Sequence, residues 1–112
     1  MPKFIIDNHL YYNPVEFVID TIGGTYKMPI LWRLKDKNWR YSELKKSMSH
    51  VSDRMLSKAL KELEQDELIA KEIFAEVPIR TEYSLREKGR QCIPIIESIR
   101  ELGLEWLGKI ES

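Results

Sequence analysis

The sequence predicts a mostly α-helical α+β protein, and three features carry that prediction. Apolar residues recur every three or four positions up to Glu67, which is typical of amphipathic helices. After Glu67 the period drops to about two, as in β-strands. Capping residues, glycines and prolines divide the chain into short elements with no flexible linker between them.

The composition bounds the class of protein. The chain has 112 residues, 43% of them apolar, and one cysteine. This length predicts one domain over residues 1–112. A single cysteine excludes a disulfide framework and a four-cysteine zinc site. No apolar run approaches the roughly 18 residues that cross a bilayer. Residues 1–12 lack the regions of a signal peptide, so we expect a soluble intracellular protein without membrane contacts.

Two helices are predicted after an arm of residues 1–12. Asn13 can cap a helix over residues 14–22, with a proline at its first position. Thr25 can cap a second helix, whose dense apolar positions indicate burial on most sides. Pro29 falls in the first turn of that helix, where it removes only one early backbone hydrogen bond. The helix should therefore continue through it.

An edge strand over residues 39–41 and two further helices are predicted next. Ser42 can cap the first of these helices, which ends near Met48, and Ser52 can cap the second, of about fourteen residues. In the second helix the apolar residues share one side: Met55, Leu56, Ala59, Leu60 and Leu63. The opposite side is polar and mostly basic: Asp53, Arg54, Ser57, Lys58 and Lys61. This amphipathic pattern predicts one buried and one exposed face.

A hairpin and a long helix complete the predicted elements. Residues 68–75 and 80–85 alternate like strands and flank a turn at residues 76–79. Ser84 begins a capping-box pattern for a last helix that runs to about Leu107. That helix has more apolar surface than a core of this size can cover.

The order helix, helix, short strand, helix, helix, hairpin, helix is that of a winged helix-turn-helix. Residues 42–66 would form the helix-turn-helix, residues 68–85 the wing and residues 85–107 a dimerisation helix. The distribution of charge supports this assignment. Residues 25–61 hold ten basic and three acidic side chains, whereas residues 62–72 hold one basic and five acidic ones. A basic stripe therefore lies where phosphates would bind, although the net charge of the chain is zero.

This placement predicts a DNA-binding face and a dimer interface. The expected DNA contacts on the helix-turn-helix are Ser42, Lys45, Ser52, Asp53, Arg54, Ser57, Lys58 and Lys61. The apolar excess of the first and last helices predicts a homodimer, together with the arm residues Phe4, Ile5 and Ile6. Its expected interface residues are Val15, Phe17, Val18, Ile95, Ile99, Leu102 and Trp106.

The sequence resembles the HxlR-type winged helix-turn-helix regulators, which are MarR-like, over about residues 13–107. The matching blocks are Asn13-Pro14-Val15-Glu16, Ile22-Gly23-Gly24-Thr25-Tyr26-Lys27, Ile30-Leu31-Trp32-Arg33-Leu34, Tyr41-Ser42-Glu43-Leu44, Met55-Leu56, Leu60-Lys61-Glu62-Leu63-Glu64, Ala75-Glu76-Val77-Pro78 with Arg80, and Glu82-Tyr83-Ser84-Leu85 with Gly89. The resemblance implies a cytoplasmic, nucleoid-associated homodimer of a bacterium or archaeon. Such a regulator binds an inverted-repeat operator in double-stranded DNA, in many cases as a repressor, and has no enzymatic activity and no cofactor.

Individual positions can be carried over from that family. By resemblance, residues 52–58 enter the major groove, and Arg80 at the wing tip reaches the minor groove or its phosphates. The first and last helices form the dimer interface. Many relatives that sense oxidants carry a cysteine directly before the Pro-Val-Glu block, where this chain has Asn13. Asparagine forms no thiolate, so that redox switch cannot be transferred.

Cys92 leaves two interpretations open. On an apolar stretch of the last helix it is a buried structural residue, because free cysteine packs as a small hydrophobe. The alternative is a thiol-based sensor of oxidants or electrophiles, which nearby Arg90 would favour.

Other functions have weaker support. Winged-helix domains also serve as protein-interaction modules without DNA binding, although such a module would lack the basic stripe. His9 and His50 have no further metal ligands at suitable spacing, and no nucleophile, base or phosphate loop indicates an enzyme. The acidic cluster Glu62, Glu64, Asp66 and Glu67 is typical of a solvated surface. The neighbouring aromatics are expected to pack in the core and wing, or to line a pocket for an unknown effector: Tyr26, Trp32, Trp39 and Tyr41.

Overall fold

A computed structural model describes residues 3–111 of the chain, with side chains through residue 108. The helices are α1 (Pro14–Ile22), α2 (Lys27–Arg33), α3 (Tyr41–Ser47), α4 (Asp53–Gln65), α5 (Glu87–Arg90) and α6 (Ile93–Glu111). The strands are β1 (Phe4–Ile6), β2 (His9–Tyr11), β3 (Trp39–Arg40), β4 (Ile69–Phe74) and β5 (Arg80–Leu85). Met1 and Pro2 of the predicted arm, and Ser112, lie outside the described residues.

Helix α1 begins and ends where the sequence predicts. The Asn13 side chain accepts a hydrogen bond from the Glu16 amide at 2.8 Å, and Pro14 occupies the first helical position. Gly23 ends the helix by donating its amide to the Ile19 carbonyl at 2.7 Å. The prediction for this helix is confirmed.

The arm before α1 forms a β-hairpin, whereas the sequence predicted only an apolar arm. Strands β1 and β2 pair antiparallel around Asp7 and Asn8, which both have positive φ. The Phe4 and Tyr11 rings stack with their centroids 5.6 Å apart, and both meet the Phe17 ring edge-on. The hairpin therefore folds back onto α1.

One hydrogen bond ties this hairpin to α1. The Tyr11 hydroxyl donates to the Asp20 carboxylate at 2.5 Å. That hydrogen bond and burial together raise the pKa of Tyr11 to about 12. Tyr11 is the one residue of the two strands that is buried.

Helix α2 starts without the predicted cap. Tyr26 takes the N-cap position and no side chain bonds to the first turn, so the prediction of Thr25 as the cap was wrong. The Tyr26 ring packs against the core, and Thr25 lies exposed outside the helix. Pro29 is in the first turn, and the helix continues through it to Arg33, as expected.

Helix α3 follows β3 directly. Its N-cap is Arg40, whose amide donates to the Glu43 carboxylate at 2.9 Å, and this hydrogen bond lowers the pKa of Glu43. Ser42 lies inside the first turn, so the prediction that it caps the helix was wrong. Because β3 pairs with β5 up to Arg40, the helix starts at the next residue and Ser42 is already part of it.

Helix α4 is capped as predicted. The Ser52 hydroxyl accepts from the Met55 amide at 3.1 Å. Leu56, Leu60 and Leu63 are at most 1% exposed, which confirms the apolar side. Met55 is 43% exposed, so its assignment to that side was wrong. It lies about 100° around the helix from Leu56 and falls at the edge of the buried stripe.

The predicted wing is confirmed. Strands β4 and β5 pair antiparallel, with Ile69 opposite Leu85 at the base and Phe74 opposite Arg80 near the tip. Strand β3 joins the free edge of β5, which gives the sheet order β3-β5-β4. Helices α3 and α4 with this sheet form a winged helix-turn-helix.

The last helix is interrupted, although the sequence predicted one helix over residues 85–107. Ser84 pairs with Ala70 in the wing, so it does not cap a helix. The chain forms α5, turns at Gln91 and Cys92, and restarts as α6. Pro94 has no amide hydrogen and cannot continue the hydrogen-bond pattern of α5, which explains the break.

The core lies between the helix-turn-helix, the base of the wing and the start of α6. The side chains that are at most 2% exposed are Ile30, Leu31, Leu44, Met48, Val51, Leu56, Leu60, Leu63, Leu68 and Ile69. Ile96 is the last buried residue of α6 whose side chain the structure describes, and its Ile99 is already 47% exposed. Most of α6 therefore extends beyond the core of its own chain.

Gly89 is the position where the packing should be least tolerant of an added methyl group. A Cβ atom there would run into the Leu68 carbonyl oxygen and lie 2.9 Å from the Leu85 side chain. We expect Gly89→Ala to lower the free energy of unfolding by about 1–3 kcal/mol, as overpacking does.

Gly108, with nothing near its own Cβ position, supplies the matched control. Gly108→Ala should be neutral or should stabilise by up to about 1 kcal/mol. Urea unfolding followed by circular dichroism distinguishes them, and equal midpoints would contradict the close packing of α5 on Leu68.

Candidate nucleic-acid interface

The exposed side of α4 carries the predicted basic face. Asp53, Arg54, Ser57, Lys58 and Lys61 are all exposed. Within the described residues, Arg54, Lys58 and Lys61 make no hydrogen bond or ion pair. Burial of the leucines on the other side leaves these three cations directed to solvent. An unpaired cation is available to a phosphate or a base edge without first giving up another partner.

Two polar side chains at the start of α4 already accept hydrogen bonds from groups of the protein. The Ser52 hydroxyl caps the helix through the Met55 amide. The Asp53 carboxylate accepts from the Tyr41 hydroxyl at 2.8 Å, and that hydroxyl lies 3.4 Å from the Ser57 hydroxyl. Burial raises the pKa of Tyr41, and the neighbouring Asp53 carboxylate also raises it.

The two predicted DNA contacts near the start of the helix-turn-helix, Ser42 and Lys45, both lie on α3 but differ in their surroundings. Ser42 is exposed near the start of the helix. The Lys45 ammonium group donates to the Val51 carbonyl in the turn before α4. It therefore stabilises the turn that sets the angle between the two helices. Its positive charge still adds to the potential of the basic face.

A cleft of about 560 Å³ separates the start of the helix-turn-helix from the wing. Tyr41, Ser42 and Ser57 line it on the helical side, and Lys71, Ile79 and Arg80 line it on the wing side. The cleft joins the exposed face of α4 to the wing. Of the predicted DNA contacts, Ser42, Ser57 and Arg80 line this cleft.

Arg80 differs from the other predicted contacts because its charge is paired. Its guanidinium lies 3.3 Å from the Glu76 carboxylate and 3.0 Å from the Glu82 carboxylate. It also lies 4.1 Å from the centre of the Phe74 ring. Arg80 is half-buried in β5, and the exposed wing tip is formed by Val77 and its apolar neighbours. The side chain would have to exchange a carboxylate for a phosphate to contact DNA.

The aromatic residues, the two histidines and the acidic cluster noted in the sequence each have a defined place in the fold. Tyr26, Trp32, Trp39 and Tyr41 pack against the core, which confirms the packing interpretation. The His9 ring stacks on Tyr11, and the His50 ring meets Tyr26 edge-on. In the acidic cluster, Glu62 pairs with Lys27 at 2.8 Å.

In residues 3–108, no three His, Cys, Asp or Glu side chains come together as metal ligands. No helix within residues 3–111 is long and apolar enough to cross a membrane.

Cys92 is buried, as the first interpretation predicted. Its thiol lies 3.6 Å from the Lys88 carbonyl oxygen and borders a small apolar crevice between α1 and α6. Burial raises the pKa of the Cys92 thiol, and the nearby Lys88 ammonium lowers it by less. The thiolate population is therefore smaller than that of a free cysteine.

Apolar side chains are exposed along α1 and α6. Six of the seven predicted interface residues are at least 39% exposed: Val15, Val18, Ile95, Ile99, Leu102 and Trp106. The seventh, Phe17, is half-buried and packs against the N-terminal hairpin of its own chain.

Comparison with known proteins agrees with this geometry. The family model for the HxlR-like helix-turn-helix matches residues 21–111. A relative described as an uncharacterised HTH-type transcriptional regulator of Methanothermobacter thermautotrophicus is 42% identical over 93 residues, which is 83% of this chain and 71% of the relative. The regulator YdzF of Bacillus subtilis is 40% identical over 92 residues, or 81% and 84% of the two chains. The solved redox regulator HypR, in its reduced form, is 35% identical with a TM-score of 0.82, covering 88% of this chain and 98% of HypR.

The fold and its exposed basic helix define a transcription regulator with a helix-turn-helix. The chain belongs to the HxlR-like helix-turn-helix family. The family and these relatives are transcription regulators and not enzymes, which confirms the resemblance seen in the sequence.

The burial of Cys92 predicts low reactivity of its thiol. At neutral pH an aromatic disulfide reagent should react with the folded protein at least about tenfold more slowly than with the protein unfolded in guanidinium. Absorbance of the released thiolate measures both rates. Cys92→Ser, which keeps a donor for the Lys88 carbonyl, should remove the signal and leave the circular dichroism spectrum unchanged. Equal rates in the two states would mean that the thiol is exposed, and would favour the sensor interpretation.

Proposed function

We propose that this chain is a homodimeric repressor that binds an inverted-repeat operator, with α4 as the recognition helix of each subunit. The observation that carries the proposal is the set of unpaired cations on the exposed side of α4. DNA offers them phosphates and base edges, and counterion release favours the exchange. Residues 1–112 would act as one DNA-binding domain.

Position along α4 suggests different roles for its cations. Arg54 is in the first turn, where a recognition helix reaches base edges, and its planar guanidinium can bind guanine through two hydrogen bonds. Lys58 and Lys61 lie about one and two turns further along, where the helix leaves the groove floor, so they would contact phosphates. Ser57 is small enough to permit close approach.

The wing would contribute less than the resemblance alone implies. Arg80 is compensated by Glu76 and Glu82, so the wing adds little net positive charge. We keep Arg80 as a proposed contact to a minor-groove phosphate, in exchange for one of its carboxylates. A narrow A·T-rich groove, with its strong negative potential, would favour that exchange most.

The proposed dimer rests on the exposed apolar surfaces of α1 and α6. A second copy is the partner that would bury the same surfaces symmetrically on both sides. Two-fold symmetry of the protein then requires an inverted repeat in the operator, with half-sites about 34 Å apart. A regulator that binds DNA must be in the compartment that holds the DNA, so the proposed location is the bacterial or archaeal cytoplasm, on the nucleoid.

A thiol-sensing regulator is the second candidate, because the similar HypR is a redox regulator solved in oxidised and reduced forms. Two observations of this chain count against it. Cys92 is buried with a raised pKa, and Asn13 occupies the position of the cysteine in the resembled sensors. A protein-interaction module is disfavoured by the unpaired cations of α4.

Substitutions on α4 should separate base contacts from phosphate contacts. The operator is first obtained by selecting bound fragments from random duplex DNA. Arg54→Ala should weaken binding to this selected operator by about 1–3 kcal/mol and relax preference at one base pair per half-site. Lys58→Ala should weaken specific and random duplexes alike, and should reduce the slope of log affinity against log salt by about two per dimer. Fluorescence anisotropy on both duplexes at several salt concentrations measures these effects.

The control is Lys3→Ala, because Lys3 lies in the N-terminal arm, outside the proposed face. It should leave the specificity ratio unchanged, which is the affinity for the operator divided by the affinity for random duplex. Equal effects of Arg54→Ala and Lys58→Ala on that ratio would show that α4 is not the recognition helix.

Measuring the oligomeric state tests whether the exposed apolar surfaces of α1 and α6 form a dimer interface. Sedimentation equilibrium should give a dimer at micromolar concentration. Ile99→Glu places a charge in the proposed interface and should shift the equilibrium towards monomer and weaken operator binding. Lys46→Gln, which also makes the charge more negative by one unit but lies on α3 away from that interface, should leave the dimer intact. A monomeric wild-type protein would contradict the proposal.

A further inference from the structure

Three polar side chains from two helices meet at one end of the proposed DNA face. Tyr41 is the first residue of α3, Asp53 is the first residue of α4, and Ser57 lies about one turn further along α4. The Tyr41 ring packs against the core while its hydroxyl reaches the cleft. That hydroxyl donates to Asp53 at 2.8 Å and lies 3.4 Å from the Ser57 hydroxyl.

Asp53 is the single acidic residue between Ser52 and Lys61. A mobile carboxylate in this position would be free to pair with cations of the same face and reduce their attraction to DNA. In the structure one of its oxygens is held by Tyr41, and it makes no ion pair with Arg54 within the described residues. Helix geometry also directs neighbouring side chains apart. Arg54 is consequently left unpaired.

The other Asp53 oxygen accepts no hydrogen bond from any described residue. An ionised carboxylate is only an acceptor, so it needs a donor when DNA displaces the water around it. In the major groove guanine and thymine present acceptor oxygens that would repel the carboxylate. Cytosine and adenine each present an amino group, but the adenine amino group lies beside the N7 acceptor, so cytosine suits a carboxylate best. A carboxylate held still would therefore favour one base and exclude others.

We propose that Tyr41 is a positioning residue for base recognition: its hydroxyl holds Asp53 so that the free carboxylate oxygen accepts from a cytosine amino group in each half-site. This inference rests on the proposed function. It adds a residue of α3 to the sequence-reading part of the interface, outside the recognition helix itself. A purely structural role for Tyr41 would need its ring but not its hydroxyl.

Tyr41→Phe removes the hydroxyl and retains the ring. The experiment compares wild type, Tyr41→Phe, Asp53→Asn and the double variant on the selected operator and on half-sites with every single base change. Tyr41→Phe should reduce the preference at one C·G pair about tenfold, and Asp53→Asn should do so at the same pair. The double variant should lose no more than either single variant, because both act through one contact.

Two controls separate this role from packing. Tyr83→Phe is the first control: Tyr83 is buried and lines the same cleft, but its hydroxyl makes no hydrogen bond within the described residues. Removing that hydroxyl should leave every base preference unchanged. The salt dependence of Tyr41→Phe should match that of wild type, because no phosphate contact is lost.

A measurement without DNA tests the contact itself. Absorbance titration of the tyrosines, with Tyr41→Phe as the reference, should show that Asp53→Asn lowers the pKa of Tyr41 in the free protein. The comparison of wild type with Asp53→Asn does not itself require Tyr41→Phe to fold, and identical tyrosine titrations of these two proteins would overturn the inference. If wild type discriminates among sequences and Tyr41→Phe discriminates equally, the inference alone is wrong. If wild type prefers no sequence to random duplex, the proposed function itself fails.

Discussion

Burial of one side of α4 is the constraint on which the rest of the structure depends. Leu56, Leu60 and Leu63 are packed against α2 and the base of the wing, with essentially no exposed surface. Each such side chain contributes about 1.5–3 kcal/mol when removed from water, so the helix cannot rotate about its axis without a large loss of stability. The basic residues on the opposite side are exposed for that reason, and the buried stripe thus sets the orientation of the proposed recognition surface.

Charged residues, like apolar residues, are segregated to particular faces of the fold. The chain is neutral overall, yet the cations of α4 lie unpaired on one face, while acidic Glu62 on another face is paired with Lys27. A binding surface for a polyanion depends on this local separation and not on net charge. The wing shows the opposite arrangement, because Arg80 lies between two carboxylates. We infer that α4 supplies most of the electrostatic attraction and that the wing mainly shapes the cleft.

Several details of the fold could not be predicted from local sequence, and each has a tertiary cause. Five residues were predicted to cap helices, and of these only Asn13 and Ser52 accept a hydrogen bond from the first turn. Thr25, Ser42 and Ser84 are equally suitable residue types but do not cap. At Ser42 and Ser84, strand pairing continues up to or through the position and overrides the local preference for a cap. The N-terminal hairpin was missed because strands of three residues are too short for a period of two to be recognised, and its stability comes from ring contacts with Phe17.

The sequence by itself determined the order of the elements, the buried and exposed sides of α4, the wing, and the family. These properties follow from periodicity and from ordered motifs, which act over a few residues or are matched position by position. Only the tertiary structure decided which charged side chains remain unpaired and therefore available to a partner such as DNA. It paired Arg80 with Glu76 and Glu82, and it brought Tyr41 to Asp53 across twelve positions of sequence. Such partners lie on different elements, and their distances depend on how the core packs those elements together. No local pattern in the chain encodes that packing.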